Sequence, residues 1–343
     1  MSETLVLITG ISGFIAKHCA VELLRHGYRV RGTVRSAAKA AETHATLAAH
    51  ADTAKLECIV ADLLADDSWD AAMHGVQAVL HVASPFPSAE PRDPNDVMRP
   101  AIDGTLRVLR SAVRARVPRF VQTSSTVAIG SSHPRDRTAP FTAEDWTQID
   151  GPGVGTYAKS KALAERAARD FVARTPGAPH FSSINPGLVL GPVLDRDIGS
   201  SGEFIQRFLQ GKYPGCPRLS FPVVDVRDVA KLHRLSLESG LPSGGRYLAV
   251  SETAWFIDMM RPIKRRLGAA ARKVPVIELP NFVVRLIGIV DPRARAIVGE
   301  LSRHPTYDTR DTREALAIGF IPVTESAPAM AQSLVDLGLA AGA

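Results

Sequence analysis

The sequence predicts an α/β protein built on a doubly wound parallel sheet, followed by a smaller α/β lobe. Short runs rich in Val, Ile and Leu alternate with stretches of helical period through the first half of the chain, a pattern typical of parallel strands buried on both faces. Repeated strand, helix and strand units need right-handed crossovers, which produce a doubly wound sheet. After about residue 190 the pattern loosens and Pro and Gly become frequent, so a second lobe is expected there.

The individual strands and helices are placed by the same two periodicities. Gly27 favours the end of the first helix, and Pro118 follows the fourth. Apolar runs predict strands over residues 5–9, 28–34, 55–61, 78–83, 119–124, 180–186 and 246–251. Stretches of helical period predict helices over about 14–26, 37–50, 66–74, 94–116, 156–174, 253–267 and 325–338.

Composition excludes several classes of protein. Of 343 residues, 45% are hydrophobic and 22% charged, and no run approaches the 18 or so apolar residues of a membrane span. The N-terminus lacks a basic leader and the three Cys are scattered, so we expect a cytoplasmic protein without a membrane or a metal site. The net charge of +6 comes from 41 basic and 35 acidic residues spread along the chain. Nucleic acid is therefore not an expected partner.

The segment TGISGFIA, residues 9–16, links the first strand to the first helix. Gly10 permits a tight turn, and Gly13 allows the backbone to approach a pyrophosphate closely. From Phe14 onward the helix N-terminus offers free N–H groups and the positive end of its dipole. In this strand-turn-helix context the spacing predicts dinucleotide binding.

Cations follow the second predicted strand at the position where NAD enzymes tend to carry an acid. Arg35 and Lys39 suit a 2′-phosphate, which predicts NADP(H), although both can also be solvated charges. Asp62 ends the third strand and can accept from an adenine amino group, while Ala83 and Ser84 follow the fourth strand on the same edge. Turn or capping roles for Asp62 and Ser84 fit their spacing equally well.

The chemical end of the sequence combines TSST at 123–126 with YAKSKALAE at 157–165. Tyr157 and Lys161 are four residues apart, so they share one face of a helix. A phenol can protonate a carbonyl oxygen as hydride reaches the carbon, and an adjacent ammonium is expected to lower the pKa of that phenol. A Ser hydroxyl nearby would orient the carbonyl. Packing of the Tyr ring, with Lys161 reaching solvent, is the structural alternative.

These motifs, together with LHVASP and INPGLVLGP, resemble the extended short-chain dehydrogenase/reductases, and specifically the branch of dihydroflavonol-reductase-like and aldehyde (carbonyl) reductases. The resemblance implies a Rossmann-type fold and a catalytic trio of Ser125, Tyr157 and Lys161. Ser125 is preferred to Ser124 because it stands five residues before Gly130. The resemblance also implies cofactor contacts from Gly10, Gly13, Phe14, Ile15, Arg35, Asp62, Leu63, Ala83, Tyr157, Lys161, Pro186, Val189 and Ser201.

The expected activity is an NADPH-dependent reduction of an apolar or aromatic aldehyde or ketone. Residues 1–190 are then the dinucleotide-binding Rossmann domain with its catalytic helix, and residues 191–343 mainly bind substrate, with some segments returning to the first domain. Two alternatives stay open, namely a nucleotide-sugar epimerase that retains NAD and a non-catalytic NADP-binding redox sensor. The chain can be a monomer or a homodimer. Aromatic side chains expected near the substrate are Phe86, Phe141, Trp146, Phe204, Phe208, Tyr213 and Phe221.

Overall fold

A computed structural model describes residues 4–84, 91–134 and 136–340. Its centre is a sheet of seven parallel strands in the order β10-β6-β5-β4-β1-β2-β3. The chain order reverses between β1 and β4, which is the switch point of a doubly wound fold. The strands of the chain are β1 Leu5–Ile8, β2 Arg29–Val34, β3 Leu56–Val60, β4 Ala78–His81, β5 Arg119–Thr123, β6 His180–Pro186, β7 Leu188–Leu190, β8 Cys216–Pro217, β9 Ser220–Asp225, β10 Gly245–Ala249, β11 Glu252–Trp255 and β12 Glu278–Leu279.

Helices cover both faces of this sheet, with α1 packed beside α8 and α4 packed beside α6. The predicted α/β class with a parallel Rossmann-type sheet is therefore confirmed. The helices are α1 Phe14–Arg25, α2 Ala37–Ala48, α3 Trp69–Met73, α4 Asn95–Arg114, α5 Val127–Gly130, α6 Thr156–Arg174, α7 Gly199–Leu209, α8 Val226–Glu238, α9 Phe256–Leu267, α10 Asn281–Val290, α11 Pro292–Ile297, α12 Arg310–Ala315 and α13 Val323–Asp336.

Strand β1 shows how burial on both faces fixes the register of the main sheet. All four of its side chains are buried, and successive side chains of a strand point to opposite faces. Val6 and Ile8 join the core under α1 and α8, whereas Leu5 and Leu7 join the core that contains Phe120 and Phe181. Slipping the register by one residue would exchange the two sets, so burial on both faces fixes the strand.

The second lobe contains a three-stranded sheet in the order β11-β9-β7 and the pair β12-β8. Its core includes Phe208, Met260 and Met330 from α7, α9 and α13. The chain after residue 190 does not all belong to this lobe, since α8 packs on α1 and β10 pairs with β6 at the edge of the main sheet. No helix within the described residues is long and apolar enough to cross a membrane.

Two predicted helices differ from the structure. The helix predicted over 66–74 begins only at Trp69, because Ser68 before it has a left-handed backbone with φ of 74°. The helix predicted over 253–267 starts at Phe256, since residues 252–255 instead form β11, which pairs antiparallel with β9. A short strand of this kind depends on a partner more than 25 residues away, so tertiary pairing overrides the local period.

Candidate active site

A large cleft of about 2010 Å³ lies at the carboxyl ends of the main parallel strands and is also lined by the second lobe. This is where ligands bind in open α/β sheets. The structure brings nearly all of the predicted site residues to its wall. These are Gly10, Gly13, Phe14, Ile15, Arg35, Asp62, Leu63, Ala83, Ser84, Ser125, Tyr157, Lys161, Pro186, Val189 and Ser201.

The glycine-rich turn has the geometry expected of a phosphate site. Gly10 has a left-handed φ of +63°, and a Cβ atom there would lie 2.9 Å from the Cβ of Ala83. The Gly10 amide donates to Thr33 Oγ1 over 2.9 Å, and the Gly13 amide donates to the Gly10 carbonyl over 2.9 Å. Helix α1 follows directly, and the N–H groups of its first turn have no partner within the helix. The backbone here can therefore receive a pyrophosphate.

A buried hydrogen-bond relay that the sequence analysis missed holds the two sides of this turn together. The Ala83 amide donates to Thr9 Oγ1 over 3.0 Å, and that hydroxyl lies 3.0 Å from His81 Nδ1. His81 Nε2 lies 3.1 Å from the Thr105 hydroxyl, which itself donates to the Ala101 carbonyl. Burial lowers the pKa of His81 to about 3, so the ring is neutral. A tautomer protonated on Nε2 satisfies every group in the relay.

The two predicted phosphate-binding cations have different surroundings. Arg35 is exposed at the wall of the cleft, and its guanidinium makes no hydrogen bond or ion pair with any residue that the structure describes. Lys39, in contrast, is not among the described residues that line the cleft. Its ammonium lies 3.1 Å from a Glu42 oxygen and 3.8 Å from an Asp197 oxygen. Arg35 is therefore the cation available to a ligand phosphate.

Asp62 lines the cleft and also stabilises the turn that follows β3. Its Oδ1 accepts from the Leu64 amide over 2.8 Å, and its carbonyl accepts from the Trp69 indole over 2.9 Å. Both roles considered for this residue are therefore compatible, because the other carboxylate oxygen is left for a ligand.

Ser125, Tyr157 and Lys161 converge at the same cleft. Tyr157 lies in the first turn of α6, half-buried, and its hydroxyl is hydrogen-bonded to Ser125. Lys161 follows one turn later and is buried, with its Nζ donating to the Thr123 carbonyl over 3.2 Å. A phenol, a hydroxyl and an ammonium thus face one space, which is the arrangement a carbonyl reduction needs.

Burial shifts the pKa values of both Tyr157 and Lys161. Burial raises the pKa of Tyr157 to about 12, and its hydrogen bond with Ser125 offsets this only in part. Burial also lowers the pKa of Lys161 to about 8, against the opposing charge of Glu165. The expected lowering of the Tyr157 pKa by Lys161 is wrong, because desolvation of the phenol dominates. The phenol therefore carries its proton at neutral pH.

The hydrogen bonds also separate the two candidate serines. Ser124 Oγ donates to the buried carboxylate of Glu165 over 2.6 Å, so its hydroxyl is occupied. Besides its contact with Tyr157, Ser125 Oγ makes two long hydrogen bonds, donating to the Pro186 carbonyl over 3.4 Å and accepting from the Val127 amide over 3.3 Å. This supports Ser125 as the hydroxyl that faces a ligand.

The part of the cleft that the second lobe lines, here called the substrate end, has fewer aromatic side chains than we expected. Phe86 lies outside the described residues, and Phe221 does line the cleft. The other five aromatics pack elsewhere in cores or on cations; they are Phe141, Trp146, Phe204, Phe208 and Tyr213. Arg303 and Tyr307, which the sequence analysis missed, also line this end. Neither belongs to a recognisable motif, so only the fold brings them to the site.

The fold and the cleft together define a dinucleotide-binding protein of the Rossmann type. The model of the NAD dependent epimerase/dehydratase family matches residues 6–248. The chain belongs to that family, and the predicted assignment to the extended short-chain dehydrogenase/reductases is confirmed.

Named relatives place the chain close to the reductase branch. It is 33% identical over 312 residues to the ketoreductase azaE of Aspergillus niger, covering 86% of this chain and 92% of that protein. It is 36% identical over 252 residues to cinnamoyl-CoA reductase 2 of Arabidopsis thaliana, covering 73% of each. The structure of Gre2 from Candida albicans in complex with NADPH matches with a TM-score of 0.80 and 27% identity, covering 97% of this chain and 99% of that one. The predicted oxidoreductase class is therefore confirmed.

Proposed function

We propose that this protein is an NADPH-dependent reductase of aldehydes or ketones, in which Tyr157 donates the proton. The observation that carries the proposal is the meeting of Ser125, Tyr157 and Lys161 in one cleft with the Gly10 to Gly13 turn. The relatives support the same class, since one is a named ketoreductase and another a named cinnamoyl-CoA reductase.

The residues present fit a nicotinamide dinucleotide carrying a 2′-phosphate. The absent Cβ of Gly10 and the N–H groups of the first turn of α1 suit the pyrophosphate. The Arg35 guanidinium, which has no partner among the described residues, suits the additional phosphate. The similar structure of Gre2 from Candida albicans is a complex with NADPH, which supports NADPH over NADH as the cofactor. When bound, the cofactor supplies the hydride.

The protein side of the reaction follows from the positions of three groups. The Ser125 hydroxyl and the Tyr157 phenol can both donate hydrogen bonds to the carbonyl oxygen of the substrate, which stabilises the negative charge that develops there. Tyr157 then gives up its proton to this oxygen, which is why a phenol protonated at neutral pH suits the reductive direction. Lys161, one turn away, provides positive charge that favours the resulting phenolate.

The substrate end suits an apolar carbonyl compound that also carries a polar group. Leu219, Phe221 and Ile297 supply apolar wall, while Arg303 and Tyr307 supply hydrogen-bond donors. An aromatic or branched aliphatic aldehyde or ketone fits this mixture.

The test is a panel of aryl and alkyl aldehydes and ketones assayed for NADPH oxidation, with direct NADPH binding measured by fluorescence. We expect binding, and turnover with at least one member of the panel. Binding without turnover by any carbonyl would overturn the proposal in favour of a redox sensor. Conversion of a nucleotide sugar with retained NAD, without net reduction, would overturn it in favour of an epimerase.

A further inference from the structure

A buried carboxylate lies directly behind the proposed catalytic residues. Glu165 is on α6, one helical turn after Lys161, and it is fully buried. A buried charge of this kind is tolerated only when its oxygens are well paired. Its Oε1 accepts from Arg246 Nε at 2.8 Å, Ser183 Oγ at 2.9 Å and Arg169 Nε at 3.2 Å, and its Oε2 accepts from Ser124 Oγ at 2.6 Å, Asn185 Nδ2 at 2.9 Å and Arg246 Nη2 at 3.4 Å.

These partners connect the helix to the strand ends that shape the cleft. Ser124 immediately precedes Ser125 at the end of β5. Asn185 on β6 donates both to Glu165 and, over 3.3 Å, to the carbonyl of Ser125. One carboxylate therefore joins the backbone that carries Ser125 to the helix that carries Tyr157 and Lys161. Loss of its hydrogen bonds would free the two elements to shift relative to each other.

The same carboxylate lies one helical turn from Lys161, and its negative charge acts on the Lys161 ammonium. Burial lowers the pKa of Lys161, and Glu165 raises it. The other groups facing Lys161 add no negative charge, since the Thr123 carbonyl and the Tyr157 phenol are neutral and His81 on β4 is uncharged because of its burial. Arg246 and Arg169, which face Glu165 from β10 and from α6, hold the pKa of Glu165 below its usual range. Glu165 is therefore anionic throughout the pH range in which Lys161 loses its proton.

We propose that Glu165 is a positioning residue that supplies a negative charge one helical turn from Lys161 and holds Ser125 in place relative to Tyr157. The proposal rests on the reductase function proposed above, and it assigns a role to a buried side chain that is not among the described residues lining the cleft. Substitution should consequently change the titration of Lys161 and the pH dependence of turnover without removing any reacting group.

The first test is Glu165→Gln, studied by carbon-13 NMR of lysine ε-carbons in the protein without cofactor, with Lys161 assigned through Lys161→Met. Removing an anion disfavours the nearby ammonium, so Lys161 should titrate about one pH unit lower than in the wild-type protein. The alkaline limb of kcat/KM should move to lower pH by the same amount. Turnover at pH 6 should then be reduced less than turnover at pH 8.

Two further variants keep the test decisive. Glu165→Gln leaves Arg246 and Arg169 without their carboxylate and can unfold the protein. Combining Glu165→Gln with Arg246→Met also removes the nearer of these two cations, whose Nε lies 2.8 Å from Glu165 against 3.2 Å for Arg169. The double variant should fold and still show the lowered Lys161 titration. Glu165→Asp keeps the charge and should restore the wild-type titration.

Glu22→Gln is the matched control, because Glu22 forms an ion pair with Arg234 on the α1 and α8 side of the sheet. It should lower stability without moving the pH profile. An unchanged Lys161 titration in folded Glu165→Gln or in the double variant would overturn the positioning role. Failure of the wild-type protein to reduce any carbonyl would instead overturn the proposed function, and the NMR titration would still report on Glu165.

Discussion

The cofactor end and the substrate end of the cleft are built in different ways. The cofactor end is made largely of turns that follow successive strands, so Gly10, Arg35, Asp62 and Ala83 lie at one edge because parallel strands place their carboxyl ends together. The substrate end is assembled from segments far apart in the chain, of which Phe221 and Tyr307 are examples. Local motifs therefore specify the first end, and tertiary packing specifies the second.

The two ends also use different chemistry. The cofactor end relies on backbone N–H groups and on a glycine whose missing Cβ makes room beside Ala83. The substrate end relies on side chains, and among the predicted aromatics only Phe221 is seen there within the described residues. Substitutions should consequently divide into those that change cofactor binding and those that change substrate selection, with Tyr157 between the two sets.

The largest effect is expected for Tyr157→Phe, which tests whether the phenol between the two ends of the cleft is the proton donor. The variant keeps the ring but removes the proton donor, so kcat should fall by roughly 10²–10⁴-fold. NADPH binding, measured by fluorescence titration, should remain within about twofold of the wild-type value because the phosphate site is unchanged. Turnover close to wild type would show that the proton comes from another group.

Much of the fold and of the cofactor end could be predicted from the sequence, for physical reasons. Strands buried on both faces have continuous apolar runs, so their positions can be predicted from the sequence. The conformation of TGISGFIA is also set locally, because Gly10 allows a left-handed φ and the helix begins at Phe14. The pair Tyr157 and Lys161 follows from helix period alone.

Other features of the site could be recognised only in the folded structure, because they depend on contacts between distant parts of the chain. The partners of Glu165 outside its own helix lie just after β5, on β6 and on β10. The relay through His81 joins Thr9 to Thr105, residues separated by nearly a hundred positions. Lys39 looked available from sequence, but Glu42 and Asp197 lie beside its ammonium. Burial reversed the expected direction of the Tyr157 pKa, and burial is a property of packing that local sequence does not give.

The second largest effect should separate the two cations that the sequence predicts to bind the 2′-phosphate. Arg35→Ala removes a guanidinium with no partner in the described part of the chain, so the Kd for NADPH should rise by roughly 10–100-fold, as expected for charge-assisted hydrogen bonds of about 1.5–3 kcal/mol. The Kd for NADH should hardly change. Lys39→Ala is the comparison variant and should have a smaller effect because Lys39 already pairs with Glu42. Equal losses for both nucleotides would contradict a role at the 2′-phosphate.

A third prediction compares two glycines with positive φ. Gly27→Ala and Gly10→Ala both place a side chain in left-handed backbone, at a cost of about 1–2 kcal/mol. A Cβ at Gly27 meets nothing within 4 Å, whereas one at Gly10 lies 2.9 Å from the Ala83 side chain. Gly10→Ala should therefore lose more stability in urea unfolding, and should also weaken NADPH binding by about tenfold. Equal behaviour of the two variants would show that close approach at Gly10 is not required.

The smallest effect is expected at the substrate end, where one phenylalanine can be compared with another that has the same neighbour. Phe221 and Phe204 both pack against Phe256, with ring centroids 5.2 Å and 5.0 Å away, but only Phe221 is among the residues that line the cleft. Truncation to Ala should destabilise both variants, since each loses contacts with the same ring.

Phe221→Ala should in addition raise KM for bulky apolar carbonyls about three- to tenfold, the range expected when a part of an apolar wall is removed. Phe204→Ala should leave KM unchanged, and neither variant should alter the Kd for NADPH. Measuring KM over the carbonyl panel and the Kd in parallel checks this. A rise in KM for Phe204→Ala as large as that for Phe221→Ala would mean that loosening of the lobe, and not the wall itself, controls substrate binding. The difference between the two variants therefore isolates the contribution of one side chain to selection, which is the property that the sequence alone predicted least well.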